Sequence, residues 1–252
     1  RLDEPIVVQY GIWMGKVLQG DLGESTTQRL PVSTLIVERF PATLQLTSLA
    51  FAFTLLLGLP IGVYAAAHRG SVLDLFARGF AVLGQALPNF WQGIVFIMIF
   101  AVWLRWLPAA GREGGIEYLI MPAVTIGWFP VAGVMRLTRS SMLEVLREDY
   151  IRTARAKGMI EKIIINRHAL KNAMLPVLTI IGIEFAFLMG GLVVTEQVFN
   201  LNGIGKLFVE SVQAQDFAMT QQLVMLVVLI AVLTNFVVDL FYAWLDPRIR
   251  YG

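Results

Sequence analysis

Apolar residues run along this chain in five long blocks with short polar segments between them. The blocks lie at about 41–67, 75–104, 119–143, 174–195 and 220–245. A helix needs roughly 20 apolar residues to cross a hydrocarbon core of about 30 Å, and each block meets that length. Charges are almost absent inside them, and backbone groups in lipid must be bonded within the segment, so each block predicts a helix. The expected fold class is all-α, a polytopic membrane helix bundle. Pro41, Pro122 and Pro176 sit near block starts, where a missing N–H costs little. Pro60, Pro88 and Pro130 sit deeper and are expected to kink or break their helices. The second block is longer than a span requires, which predicts tilt or a break near Gly84–Pro88.

Composition narrows the class. Hydrophobic residues make up 57% of the 252 and charged residues only 15%, against about 25% charged in a soluble domain. The absence of cysteine excludes disulfides, thiol nucleophiles and cysteine metal sites. His68 and His168 are too few for a histidine-built metal site or proton relay. A net charge of +2 is too small to call for nucleic acid.

The placement of charge is more informative than its sum. With five spans, the segments around 68–74, 144–173 and 246–252 share one side and hold 13 of the 20 Lys and Arg residues. That side is the cytoplasm by the positive-inside rule. Residue 1 is then outside and the C-terminus inside. A chain that starts outside calls for an earlier span, so a sixth, N-terminal helix is expected ahead of Arg1. Residues 1–40 read as an extracytoplasmic segment with a short helix, and 41–252 as the transmembrane domain.

The polar block at 144–173 is more ordered than a topology signal requires. Within 136–172, nine basic residues stand against four acids. SSMLEVLREDYIRTARAKG contains good helix formers, with Met142, Val145, Leu146, Tyr150 and Ala154 recurring at three or four residues. Gly158 follows Arg155 and Lys157, as at a helix end where cations meet the negative dipole and the chain turns left-handed. A second short helical run, with Ile160, Ile163 and Ile164, follows. Two helices hinged at a glycine predict a compact cytoplasmic knob. Small Ala154, Ala156 and Gly158 leave a low surface suited to a partner's groove.

This stretch resembles the EAA loop of ABC importer permeases, the membrane subunits of binding-protein-dependent transport systems. The general pattern is E-A-A-x3-G-x9-I-x-L-P. With its glycine on Gly158, the pattern matches at Ala154, Gly158 and Leu170 and departs at Arg152, His168 and Lys171. EDYIRTARAKG and RHALKNAMLP resemble instead the version in the dipeptide, oligopeptide, nickel and glutathione branch. So do MRLTRSSMLEVLREDY, GDLGES, VFNLNGIG and the closing DPRIRYG. The resemblance covers essentially the whole chain.

It implies a type I ABC importer transmembrane fold, with usually six helices, in a bacterial inner membrane. The loop would be the coupling helix that docks on a cytoplasmic ATPase, through Glu148, Asp149, Tyr150, Arg152, Thr153, Ala154, Lys157 and Gly158. Implied partners are a second homologous permease, two ABC ATPase subunits and an extracytoplasmic solute-binding protein. ATP and magnesium are expected in the ATPases, with no cofactor in this chain.

The rest of the sequence offers little chemistry. GIGKL at 203–207 lacks the Ser or Thr of a phosphate loop. No catalytic triad context surrounds any serine or histidine. Glu184, mid-span, either lines the pathway and meets a peptide amine or cation, or bonds a neighbouring helix. Asp239 reads as an interhelical hydrogen bond. Gln85 and Asn89 flank Pro88 and either line a cavity or serve as packing glue. Trp103, Trp106, Trp128 and Trp244 read as interface anchors or bundle packing. The segment from Glu196 to Phe217 either faces the translocation mouth or simply connects. A permease subunit of an ATP-driven importer for peptides or a related small solute is the favoured function. An ATP-independent secondary transporter or channel is the alternative, disfavoured by a single clear mid-span acid and the lack of a repeat. A membrane scaffold that transports nothing is disfavoured by the ordered loop.

Overall fold

The computed structural model describes residues 4–111, 115–190 and 192–245. The Asp239 and Trp244 side chains, Arg1, Arg112 and the DPRIRYG segment with Arg248 and Arg250 lie outside the described residues. Helices α1 (Ile6–Leu18), α2 (Val32–Ala67), α3 (Val72–Ala86) and α4 (Asn89–Phe96) come first, with a π-helical stretch Ile97–Trp103 after α4. Next are α5 (Glu117–Val145), α6 (Asp149–Ala156) and α7 (Glu161–Ile163), which runs through a π-helical stretch Ile164–Ala169 into α8 (Leu170–Gly190). Helices α9 (Leu192–Val198), α10 (Ile204–Gln213) and α11 (Phe217–Leu245) complete the chain.

Helix α2 is longer than its apolar block. It starts at Val32, after Pro31 as N-cap, so Pro41 lies inside it. Pro41 removes the donor for the Val37 carbonyl four residues earlier, and Val37 is exposed. Pro60, Pro122, Pro130 and Pro176 also sit within continuous helices. Of the prolines in the apolar blocks, Pro88 alone separates two helices, and α3 and α4 meet there at 107°. Leu87 before it is extended, with ψ 133°, as a residue preceding proline prefers. Trp128 of α5 stacks on both arms of the bend, 4.8 Å from Phe80 and 5.8 Å from Phe96 between ring centroids. Its indole occupies the space a Cβ on Gly84 would need, and its Nε1 donates to the Phe80 carbonyl at 3.2 Å.

The bent pair meets α5, or the cluster α5 shares, near both ends of that helix. Asp74 in the first turn of α3 meets Arg139 near the close of α5. Leu107, past the π stretch, packs on the cluster holding Leu119 and Met121 at the opening of α5.

Helices α2 and α5 form the centre. Gly58 and Gly62, one turn apart, let α5 approach the α2 backbone. A Cβ on Gly62 would lie 2.7 Å from Thr138 Cβ and 2.8 Å from the Met135 carbonyl. On the other side, a Cβ on Gly127 would lie 3.0 Å from the Ala50 carbonyl. Hydrocarbon tails are as apolar as leucine, so helices in a bilayer associate through such close packing.

The far end of the bundle, where α2 begins, is held by polar contacts. Buried Glu196 accepts from Thr43 Oγ1 at 2.7 Å and from the Lys206 N–H at 2.9 Å. Thr43 Oγ1 in turn accepts from the Ile204 N–H at 2.8 Å. Burial raises the proton affinity of this carboxylate, against the pull of Thr43 and of the Lys206 and Gly205 N–H groups. The GIGKL glycines serve this contact. A Cβ on Gly203 would collide with the Glu196 carboxylate, and one on Gly205 would lie 2.6 Å from Val193 Cα. The N-terminus of α10 thus has an internal anion. Asp216, buried ahead of α11, gathers Ser25 Oγ, Thr27 Oγ1 at 2.7 Å and the Met219 N–H at 3.1 Å, tying the segment after α1 to the bundle. Helix α1 itself buries no residue.

Gly62→Val should cost about 1–3 kcal/mol by overpacking the α2–α5 contact. Gly11→Ala, at an open position, should leave thermal unfolding in detergent unchanged. Equal melting of the two variants would refute the close-packing account. For Asp216, burial opposes the charged form, but the Ser25, Thr27 and Met219 donors outweigh it and hold the carboxyl well below the usual range. A depressed folded-state value gives stability that is present above the unfolded value and lost as pH falls through the folded one. Asp216→Asn should therefore melt lower than the parent above about pH 5, with the gap closing in strong acid. A gap independent of pH would refute this assignment.

Candidate functional site

The elbow between α5 and α8 is built from a reversal, a short helix and a left-handed stop. The sequence favours one helix from Ser140 to Lys157, but the chain breaks it at Leu146–Glu148. Helix α5 ends at Val145, and Glu148 is extended with ψ 149°. The cause is tertiary: the break turns Ile151 and Ala154 onto the cluster of Met142, Ile164, Ala169, Ala173 and Ala66. At the far side of α6, Gly158 has φ +77°. The Gly158 N–H donates to the Arg155 carbonyl and the Met159 N–H to the Ala154 carbonyl, the two bonds of a Schellman stop.

The coupling residues expected from sequence divide by exposure. Glu148, Asp149, Tyr150, Arg152, Thr153, Lys157 and Gly158 are exposed, while Ala154 is buried with 8% of its surface accessible. The small Ala154 side chain thus serves the chain's own packing, letting α6 lie close on the α7–α8 run. On the outward face the acids lead and Arg152, Arg155 and Lys157 follow, each sign at the favourable end of the helix dipole.

Polar braces fix the elbow. Arg155 holds Glu161 with two bonds, Nη2 to Oε1 at 2.7 Å and Nε to Oε2 at 3.2 Å. Asn172 Nδ2 of α8 donates to Tyr150 Oη at 2.8 Å. A further anchor escaped the sequence reading. Arg139 donates to both oxygens of buried Asp74, at 2.7 and 3.0 Å, fastening α3 to α5 three turns from Trp128. The available signal was Ser71, whose Oγ caps the Asp74 N–H at 3.1 Å in an S-x-x-D arrangement.

Within the bundle, a recess of about 510 Å³ opens between α3, α5 and α8. Gln85 and Glu184, two of the pathway candidates, both line it, together with Gly133 and Arg136. Asn89, the third, begins α4 beyond the break and is not part of this lining. Trp103 and Trp106 are exposed past the end of α4.

Comparison with known proteins gives one answer at every level. Residues 58–251 match the model for "Binding-protein-dependent transport system inner membrane component". The oligopeptide transport system permease protein AppB of Bacillus subtilis is 40% identical over 99% of this chain and 82% of its own length. The glutathione transport system permease protein GsiC of Salmonella typhimurium is 44% identical over 99% of this chain and 81% of its own. Among solved structures, an inward-facing MetNI methionine ABC transporter has a TM-score of 0.68 at 20% identity, over 84% of this chain and 96% of that one. An amino acid ABC transporter has a TM-score of 0.65 at 17% identity, over 84% and 94%. These structures share the fold.

The Arg155–Glu161 brace makes a local prediction. Both groups are about half exposed, so their coupling in a double-mutant cycle should be about 0.2–1 kcal/mol. Glu161→Gln should nevertheless speed amide exchange across 149–158 and leave the α2–α5 contact unchanged. Unaltered exchange in α6 would show that the apolar contacts alone hold it.

Proposed function

The chain belongs to the family of binding-protein-dependent transport system inner membrane components, and from that premise we propose how it works as the permease subunit of an ATP-driven ABC importer. It pairs with a second, similar permease around a path for short peptides or a closely related solute. Curated relatives named for oligopeptides, di- and tripeptides and glutathione support that substrate range. ATP and magnesium bind two partner ATPases, and an extracytoplasmic receptor delivers the solute. The elbow lies in the cytoplasm, and residue 1 lies outside. An ATP-independent transporter or channel is disfavoured by the family match and by the elbow.

The observation that carries the mechanism is the rigid, outward-facing α6. Its exposed charged face is free for a partner, while Ile151 and Ala154 pack its inner face on the shared cluster, Tyr150 is bonded to α8 and Arg155 to α7. A contact biases a two-state equilibrium only if its free energy differs between the states. An ATPase cleft that moves on closure supplies such a contact, and a locked elbow passes the displacement to α5 instead of absorbing it. Glu184 and Gln85 line the path that this motion opens and closes.

Gly158→Pro loses the left-handed stop and its N–H bond, because proline is fixed near φ −65°. Ala154→Arg forces a charge into the cluster beneath α6. Both variants should insert in the membrane yet lower ATP-driven uptake by roughly tenfold or more, the equivalent of about 1.4 kcal/mol of lost coupling. Proteoliposomes holding all partners provide the measurement. Full uptake by both variants would reject the docking role.

A further inference from the structure

Glu184 is 7% exposed and sits in the last third of α8. It accepts no hydrogen bond from any described residue. A buried carboxylate without donors is costly inside a membrane and marks a site of use. Space is reserved for it: a Cβ on Gly133 would lie 2.7 Å from Glu184 Oε1. Arg136, three residues on from Gly133 and so on the same face of α5, is exposed and forms no ion pair with a described residue. Both charges line the recess of about 510 Å³, a volume within the range of small-molecule sites.

Two opposite charges that share a recess without closing on each other select their visitor. A simple anion meets repulsion from Glu184, and a simple cation meets it from Arg136. A solute carrying both signs satisfies both. We propose that this recess is a transit subsite for a short peptide in its zwitterionic form. The terminal ammonium donates to Glu184, and Arg136 donates to the terminal carboxylate. The inference rests on the importer reading above and adds to it the charge form that crosses.

The chain has no cysteine, so a single thiol at Gln85→Cys reports on the recess directly. The permease–ATPase complex in nanodiscs, without receptor, is alkylated with a maleimide in the presence of dialanine, N-acetyl-dialanine or dialanine amide. Dialanine should slow alkylation several-fold more than either blocked form. Adding Glu184→Gln should abolish the difference, while Glu184→Asp keeps part of it. Equal protection by all three, or protection by none, would overturn the subsite. In proteoliposomes with the receptor, Glu184→Gln should lower dialanine uptake by roughly tenfold and leave receptor-stimulated ATP hydrolysis within about twofold. Loss of both together would place Glu184 in folding or coupling and overturn the proposal. Failure of the unmodified complex to import dialanine or trialanine would instead remove the peptide-importer reading. The nanodisc assay would still report on the recess by itself.

Discussion

The close approach of α2 and α5 sets the geometry of everything else. In water the hydrophobic effect would drive these helices together; in hydrocarbon it does not, and contact distance decides. Gly58, Gly62 and Gly127 remove the side chains that would hold the backbones apart. Because α5 is seated this deeply, it serves as the reference for the other spans. Helix α3 is fixed to it by Asp74–Arg139 and the α3–α4 bend by Trp128, while α8 also packs against it. The bent pair is held at both arms by groups of α5, so its bend is a fixed shape.

That arrangement gives the elbow its mechanical character. Helix α6 has only eight residues, too few to be stable in isolation. Its order comes from Ile151 and Ala154 on the shared cluster, from Tyr150–Asn172 and from Arg155–Glu161. Those contacts reach α2, α5 and α8 together. A force on α6 is therefore shared among three helices. The same requirement explains why a helix with favourable local propensity stops at Leu146: continued straight, it would carry Ile151 and Ala154 away from the cluster they stabilise.

Much of this was legible in the chain. Long apolar blocks, concentrated Lys and Arg, a proline deep inside an over-long block and Gly158 behind two cations are local signals, and their physics acts over one or two turns. What was not legible depends on residues far apart in sequence. The Glu196–Thr43 bond joins residues 153 apart, and Arg139–Asp74 joins residues 65 apart. The start of α2 was obscured because Glu38 and Arg39 interrupt the apolar run, although a helix end outside hydrocarbon tolerates both. Ala154 read as part of a docking surface because its size alone does not tell which way it faces. Gly133 carried no signal at all until Glu184 was seen against it.

Gly133 and Arg136 also connect the two halves of the mechanism. They stand on α5, and Arg136 is nine residues before Val145, about 14 Å along the axis at 1.5 Å per residue. No proline separates Arg136 from the elbow, so this stretch of helix has no built-in hinge. On α8, by contrast, Pro176 stands between the elbow contacts and Glu184, a point where a helix can flex, so a displacement that α5 carries rigidly can move Arg136 relative to Glu184. The recess is then a place where a small relative motion of α5 and α8 changes the distance between two opposite charges. In the proposed subsite such a pair would bind a zwitterion at one separation and release it at another, so the step that moves the helices would also change the affinity of the recess.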